Sequence, residues 1–233
     1  MSMKIKTAAL ALAAAALCAG AAQAADQDAS DGEALFGDID ERALRYEFRV
    51  EGERVGIGEG RITRTAPETW RVEISYDIDV EVLGVDLYSL DMDATEVYRG
   101  NRLIALDTRA VENGDTHEIE GRAEGDHFRY THNGEPGEVA ADVVPSTQLW
   151  RRDLLTRTRV LHVVEGEPFD RTTEAVGEET FETPTGEQTL SGVHIDTPYE
   201  TADLWFDAEG LMQRCVLDRM GVTMTIRRLA GPG

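Results

Sequence analysis

Apolar and polar residues alternate along most of the chain beyond residue 40, and the alternation is cleanest in residues 69–82, TWRVEISYDIDVEV. Because successive side chains of a β-strand point to opposite faces, this pattern predicts a strand with one apolar and one polar face. The apolar positions are Trp70, Val72, Ile74, Tyr76, Ile78, Val80 and Val82. The sequence leaves open whether this face contacts a packed core or a bound molecule.

The segment that follows continues the alternation, so the two segments together predict a hairpin. A three-residue loop, Leu83-Gly84-Val85, places Val80 opposite Tyr88 and keeps every facing pair apolar. The other predicted pairs are Ile78 with Leu90, Tyr76 with Met92 and Ile74 with Ala94. A two-residue loop would move one strand to its other face and oppose apolar to polar residues. Beyond Ala94 the alternation is interrupted, and we expect either a bulge in residues 93–96 or a different turn.

Glycine turns further along the chain predict more antiparallel hairpins. Asn113-Gly114 is a strong two-residue hairpin signal, and it pairs Ala110 with His117. A turn at Glu124-Gly125 would then pair His117 with His132 on the apolar face. These turns extend the first hairpin into a long antiparallel meander.

A break in the alternation separates this meander from a second series of strands. Ser146 or Thr147, just after Pro145, is expected to cap a short crossover helix that ends near Leu155. Strands resume at Val160. The chain therefore consists of two β series joined by one short helix.

These segments predict an all-β fold in a single domain over residues 41–233. Open sheets of about ten strands twist and curl, so we expect a curled antiparallel sheet that forms a barrel or half-barrel with one short crossover helix. No stretch approaches the ~20 apolar residues of a membrane-spanning helix, so no transmembrane segment is expected.

The first residues have the features of a secretory signal peptide. Residues 1–24 contain two lysines, an Ala/Leu-rich run over residues 7–20 and the cleavage-type sequence Ala22-Gln23-Ala24. A lipoprotein signal is the alternative because Cys18 lies in the apolar run, although the residue before it is larger than lipid attachment favours. We therefore expect a periplasmic or secreted protein that begins, at residues 25–40, with a flexible acidic leader.

The net charge of the chain limits the classes of molecule that it is expected to bind. Cleavage after residue 24 would remove Lys4 and Lys6, leaving 21 of the 23 basic residues, all arginine, against all 45 acidic residues, a net charge of −24. The loss of every lysine excludes Schiff-base chemistry. The negative field opposes binding to nucleic acid or anionic headgroups. A solvated acidic surface explains this charge, and binding of basic partners or divalent cations is the alternative.

Candidate catalytic and metal-binding residues are few. His117 and His132 would face each other and, with Asp107 or Asp115, could bind a transition metal. Zinc sites need three or four ligands, however, and no metal-binding spacing occurs. The sequence has no G-x-S-x-G motif. Cys215, the one cysteine left after cleavage, lies in an alternating apolar segment, which is typical of a buried thiol. We therefore assign no catalytic residue, no metal site and no cofactor.

The remaining candidate site is the apolar face of the sheet itself. A filled core is one interpretation, and the other is a cavity for an apolar ligand inside a curled sheet. The hairpin tip at residues 83–87 carries three large apolar residues, which is typical of a surface with a partner. The predicted ligand-binding residues are Trp70, Ile74, Tyr76, Ile78, Tyr88, Leu90 and Tyr130.

The sequence contains three motifs: EVYRGNRL at Glu96–Leu103, the Pro-Ser-Thr segment at Pro145–Thr147 and LWFDAEG at Leu204–Gly210. With these motifs the chain resembles a bacterial secreted all-β family of unknown function, and the similarity extends from about Arg45 to Arg228. More distantly, the layout is similar to the lipoprotein-carrier half-barrels of the periplasm. That resemblance implies a curved antiparallel sheet with an apolar concave face, and it implies no catalytic residue.

Three functional hypotheses follow. The first is an exported protein that binds an apolar small molecule, a lipid or a lipoprotein in a β-sheet concavity. The second is an envelope interaction or homeostasis protein with a filled core and function on its loops. The third is a cofactor-free enzyme that works inside the barrel, with His117, His132, Asp107 or Tyr130 as acid or base. Of these, binding is favoured over catalysis.

Overall fold

The described part of the chain includes most of the predicted domain. The computed structural model describes residues 36–37, 39–82, 85–219 and 221–230, with only the backbone at residues 82, 85 and 86. The predicted signal peptide, residues 1–24, and most of the predicted leader, residues 25–40, lie outside the described residues. No helix among the described residues is both long and apolar enough to cross a membrane.

Sixteen strands and one 3₁₀ helix, Arg152–Thr156, form the described part of the chain. The strands are β1 (Glu41–Val50), β2 (Glu53–Ala66), β3 (Thr69–Val82), β4 (Val85–Arg99), β5 (Arg102–Glu112), β6 (Asp115–Glu124), β7 (His127–His132), β8 (Glu135–Ala140), β9 (Val144–Pro145), β10 (Arg159–Leu161), β11 (Pro168–Asp170), β12 (Thr172–Thr183), β13 (Gly186–Asp196), β14 (Thr201–Phe206), β15 (Met212–Arg219) and β16 (Val222–Arg228). The predicted number of about ten strands is too low because the crossover and the second series contain more strands than their turns revealed.

Thirteen of these strands form one antiparallel sheet in the order β12-β13-β14-β15-β16-β1-β2-β3-β4-β5-β6-β7-β8. Pairing of β1 with β16 joins the two β series into one sheet, which stays open between β12 and β8. The predicted all-β half-barrel is therefore confirmed. The buried apolar residues of these strands share one face, which we call the inner face.

The predicted register of the first hairpin is confirmed, but its tip differs. Val80 pairs with Tyr88, and the three pairs below it are also those predicted. The predicted three-residue loop is wrong because backbone pairing continues to Val82 and Val85, with a register shift that leaves Leu87 unpaired. This bulge supplies the extra residue that the three-residue loop was expected to supply.

Of the two explanations expected for the interruption after Ala94, the bulge in residues 93–96 is wrong. Pairing of β3 with β4 runs without interruption down to Thr69 and Arg99, and Glu96 occupies an inner-face position. The irregularity lies instead in the next pair of strands, where Ile104 is left unpaired. The alternation was interrupted only because one inner-face residue is a glutamate.

The pairing of β6 with β7 is shifted by two residues from the predicted register. The Asn113-Gly114 turn pairs Ala110 with His117 as predicted. His132, however, pairs with Ile119 rather than with His117. A shift of two residues keeps every side chain on its predicted face, so alternation could not distinguish the two registers.

Residues 141–171, which we call the crossover segment, connect β8 at one edge of the sheet to β12 at the other edge. The segment packs on the inner face: Tyr130 Oη donates a 2.8 Å hydrogen bond to the Gly166 carbonyl. The crossover segment contains one short helix, as predicted, but it is the 3₁₀ helix Arg152–Thr156 and not a helix from Ser146 or Thr147 to Leu155. Ser146 Oγ accepts the Val163 N–H and Thr147 Oγ1 donates to Glu96, so neither caps a helix.

Four aromatic side chains fill the inner face at the Trp70 end of β3, which we call the packed end. The ring of Phe36 lies 5.3 Å from those of Trp70 and Tyr98 and 6.1 Å from that of Trp150, measured between centroids. Phe36, which falls within the residues predicted as leader, is only 1% exposed. Burial of large aromatic rings is among the strongest contributions to a core, so this cluster closes the packed end.

Candidate ligand cavity

The inner face is not filled over its whole length. A cavity of about 630 Å³ lies beneath β1–β4, β15 and β16, toward the Val80 end of β3, which we call the cavity end. Four of the lining residues are exposed, namely Glu59, Leu87, Asn113 and Glu165, and we call the part of the cavity lined by the last three the mouth. The apolar lining residues are Leu44, Tyr46, Phe48, Ile62, Val72, Ile74, Tyr76, Ile78, Val80, Leu87, Tyr88, Leu90, Met92, Val163, Leu149, Trp150, Phe169, Met212, Leu217, Val222, Met224 and Ile226.

Five of the seven predicted ligand-binding residues line this cavity, namely Ile74, Tyr76, Ile78, Tyr88 and Leu90. The other two lie outside it. Trp70 belongs to the packed end, where its Nε1 donates a 2.9 Å hydrogen bond to the Ile39 carbonyl. Tyr130 lies under the crossover segment, with its hydroxyl bound to Gly166. Alternation placed all seven residues on one face but could not tell which part of that face is filled.

Glycines in β2 help to leave the space open. Gly58 and Gly60 take inner-face positions opposite Tyr76 and Ile74. A Cβ at Gly58 would lie 2.9 Å from ring atoms of Phe48 and Tyr76, so this glycine admits the two rings. A Cβ at Gly60, in contrast, would make only ordinary contacts, the nearest at 3.6 Å from Leu44 Cβ. Gly60 therefore leaves unfilled space in the cavity wall.

A histidine at the mouth is held in one orientation by the crossover segment. His162 Nδ1 accepts hydrogen bonds from the backbone N–H groups of Val164, at 3.3 Å, and Glu165, at 3.1 Å. Its ring packs against those of Tyr199 and Phe169, with centroids 4.5 and 6.1 Å away. Burial, with smaller contributions from the charges of Arg219 and His117, lowers the pKa of His162 from 6.5 to about 4. The neutral ring carries its proton on Nε2 because Nδ1 is an acceptor.

The charged groups at the mouth are mostly carboxylates. Arg219 is paired with Glu112, with Nη2 and Oε1 3.4 Å apart, and lies over the Tyr88 ring at 5.7 Å from its centroid. Burial raises the pKa of Glu200, and Arg219 partly opposes this effect. Glu165 adds a third carboxylate at the mouth. The only arginine among the lining residues is thus already paired.

A buried carboxyl group lies beside the packed end. Glu96 is 0% exposed and accepts a 2.9 Å hydrogen bond from Tyr98 Oη, with further hydrogen bonds from Thr147 Oγ1 and Gln148 Nε2. Burial raises the pKa of Glu96 from 4.5 to about 7, although the hydrogen bonds from Thr147 and Tyr98 act in the opposite direction. The network links β4 to the crossover segment from within the core.

Sequence reasoning missed the role of this network, although both of its parts were visible as motifs. Glu96 begins the EVYRGNRL motif and Thr147 ends the Pro-Ser-Thr segment. The structure brings these two motifs into contact across 51 positions of sequence. A glutamate in the apolar phase of a strand is the signal that could have indicated a buried polar partner.

The acid and base candidates of the enzyme hypothesis are not assembled in the cavity. The rings of His117 and His132 are stacked, with centroids 5.9 Å apart, but neither residue lines the cavity. Asp107 is exposed on the outer face. Within the described residues, no group of three or more His, Cys, Asp and Glu residues is arranged to hold a metal ion. Cys215 is buried, and burial raises the pKa of its thiol well above the usual range.

A comparison with one solved structure agrees with this architecture. The crystal structure of a β-barrel-like protein of domain of unknown function DUF1849 from Brucella abortus matches with a TM-score of 0.61 and 9% identity, over 80% of this chain and 94% of that chain. At this identity the similarity shows the fold alone. A protein with a YmcC-like fold from Bacteroides fragilis matches at a TM-score of 0.35 and 13% identity, over 81% of this chain and 93% of that chain.

Sequence comparison gives a family but no function. No protein with a curated description matches the chain. The model of a family described as a domain of unknown function, DUF6134, matches residues 46–229, which include all three motifs. The predicted resemblance to an all-β family of unknown function is confirmed: the chain belongs to the DUF6134 family.

Proposed function

We propose that this protein binds an apolar or lipid-like molecule in the cavity beneath β1–β4, β15 and β16. The observation that carries the proposal is a cavity of about 630 Å³, lined mostly by apolar side chains, on an inner face that is filled elsewhere. Ligand sites are usually concave and mostly apolar, with volumes of about 300–1,000 Å³. Each methylene group that moves from water into such a site contributes about 0.8 kcal/mol, so long acyl chains are favoured.

The proposal includes export to the periplasm or the medium. Its support is the signal-like pattern of residues 1–24, with a basic start, an apolar run and an Ala-Gln-Ala sequence. A lipid or the acyl chain of a lipoprotein would be available to a carrier in that compartment. N-terminal sequencing of the protein from a bacterial periplasm tests this, and the mature chain should begin near Ala25. A chain that still begins at Met1 would contradict export by this signal.

The binding proposal is tested first on the wild-type protein. Native mass spectrometry of protein purified without detergent should show adducts in the mass range of lipids, and the uncharged dye Nile red should bind with increased fluorescence. Bare protein mass in repeated preparations, together with no saturable dye binding, would contradict the proposal.

A filled-cavity variant makes this test specific. Gly60→Leu adds a large side chain at an inner-face position that borders free space, so it should abolish saturable Nile red binding without unfolding the protein. Arg61→Leu is the control because it adds the same side chain one residue away, at an exposed position. Equal dye binding by the two variants would place the dye outside the cavity.

A second candidate function is docking of a protein partner at the mouth. Leu87 is 50% exposed at the bulge of the first hairpin, and large exposed apolar residues at loop tips are often contact sites. A lipoprotein whose acyl chains enter the cavity would satisfy both candidates. Cross-linking in cells from a photoreactive residue at position 87 tests this candidate, and labelling no stronger than from exposed position 176 would contradict it.

A further inference from the structure

A side-chain nitrogen of His162, at the mouth of the cavity, has no hydrogen-bond partner among the described residues. His162 is 7% exposed, and its Nδ1 is engaged by two backbone N–H groups of its own turn. Its Nε2 makes no hydrogen bond to any residue that the structure describes, while the residue itself lines the cavity. The neutral ring therefore presents a fixed N–H donor to whatever occupies the mouth.

The groups around this donor disfavour an anion. Glu112, Glu165 and Glu200 line the same end of the cavity, and the one arginine there, Arg219, is paired with Glu112. The side chain of Glu200 has no hydrogen-bond partner among the described residues, and burial raises its pKa. A ligand carboxylate or phosphate would meet these carboxylates in a partly desolvated site, where like charges repel strongly.

We propose that the cavity takes an uncharged amphiphile, such as an acyl ester, whose chain lies along β3 and β4 and whose carbonyl oxygen accepts a hydrogen bond from His162 Nε2. This inference rests on the proposed function and adds the class of ligand. An ester carbonyl is an acceptor without charge, so it matches the His162 donor beside these carboxylates. A free fatty acid at neutral pH and an alkylammonium ion match it less well, because the first is repelled and the second has no acceptor.

The test compares ligands with the same chain and different polar ends. Methyl laurate, laurate and dodecylammonium are each titrated into the wild-type protein with bound Nile red at pH 7.5. The dissociation constant of each is derived from the displacement of the dye. Methyl laurate should bind about tenfold more tightly than laurate, a difference of 1.4 kcal/mol, and more tightly than dodecylammonium. Tighter binding of laurate or of dodecylammonium would overturn the inference while leaving the cavity proposal intact. Failure of all three to displace the dye would overturn both.

A histidine variant tests the proposed hydrogen bond. In His162→Asn, the side-chain oxygen can still accept the N–H groups of Val164 and Glu165, but no donor reaches the position of Nε2. Methyl laurate should bind about fivefold more weakly to this variant, as expected for one hydrogen bond to a neutral acceptor. The matched control is His127→Asn, since His127 is exposed and lies outside the cavity. Unchanged affinity in His162→Asn, with dye binding retained, would overturn the role of His162.

A glutamate variant tests the charge argument independently of any change at His162. Glu200→Gln should strengthen laurate binding severalfold and leave methyl laurate binding nearly unchanged, because only the anion is repelled by the carboxylate. Glu178→Gln on the exposed strand β12 makes the same change in net charge away from the cavity. If the two variants increase the affinity for laurate equally, the effect comes from the net charge of the protein and not from a carboxylate at the mouth. That result would overturn this part of the inference.

Discussion

The two ends of the inner face carry the same alternating pattern and yet differ in what covers them. At the packed end, Trp70 and Tyr98 meet rings from outside the sheet, those of Phe36 and Trp150. Along the cavity, an inner-face position of β2 is Gly60, where an added Cβ would make only ordinary contacts. Alternation therefore determines which face is inward, whereas the contents depend on segments far away in sequence.

The largest expected effect is a loss of stability, which we compare between one phenylalanine at the packed end and one that lines the cavity. Phe36→Ala removes a ring that is surrounded by three others, so it should lower the free energy of unfolding by about 3–5 kcal/mol. Phe48→Ala enlarges a cavity that already exists and removes contacts on fewer sides, so a smaller loss of about 2 kcal/mol is expected. Urea denaturation followed by circular dichroism measures both. Equal losses would contradict the contrast between the ends.

The next largest effect concerns Glu96, which is buried beside the packed end. The folded protein keeps a proton on this carboxyl until about pH 7, whereas the unfolded chain loses it near 4.5, so its contribution to stability falls as pH rises between these values. The total change is about 3 kcal/mol. Glu96→Gln removes this titration, so the variant should gain about 3 kcal/mol relative to wild type between pH 4.5 and pH 8. Urea denaturation at several pH values measures the difference, and parallel curves would contradict the prediction.

Glu96 also shows how far the sequence alone could lead. The strands, the inner face and the Val80–Tyr88 register followed from alternation because these features depend on neighbours in sequence and on one partner strand. The glutamate was read as a break because its partners, Thr147 and Gln148, lie in another segment. The expected start of the helix at Ser146 or Thr147 is wrong for the same reason. Both side chains can cap a helix, but here they form hydrogen bonds with residues that are distant in sequence. The two-residue shift at His132 was invisible to a pattern of period two.

A smaller effect tests the glycine wall of the cavity. Gly58→Ala places a Cβ 2.9 Å from the rings of Phe48 and Tyr76, so it should cost about 1–3 kcal/mol of unfolding free energy. Gly60→Ala meets no close contact, and it should raise stability by about 0.5–1 kcal/mol because a glycine in a strand loses more entropy on folding. Thermal and urea denaturation should show that the free energy of unfolding falls in Gly58→Ala and rises in Gly60→Ala. Destabilisation by both would show that the space beside Gly60 is filled.

The smallest effect lies at the boundary between the cavity and solvent. The bulge leaves Leu87 unpaired and 50% exposed, while it still lines the mouth of the cavity. Leu87→Ser should therefore change the free energy of unfolding by less than about 0.5 kcal/mol. The variant should still weaken Nile red binding about two- to threefold, because part of the apolar mouth is lost. Val176→Ser, at a residue of equal exposure on β12, should change neither quantity, so equal effects on dye binding would mean that Leu87 belongs to the outer surface rather than to the cavity.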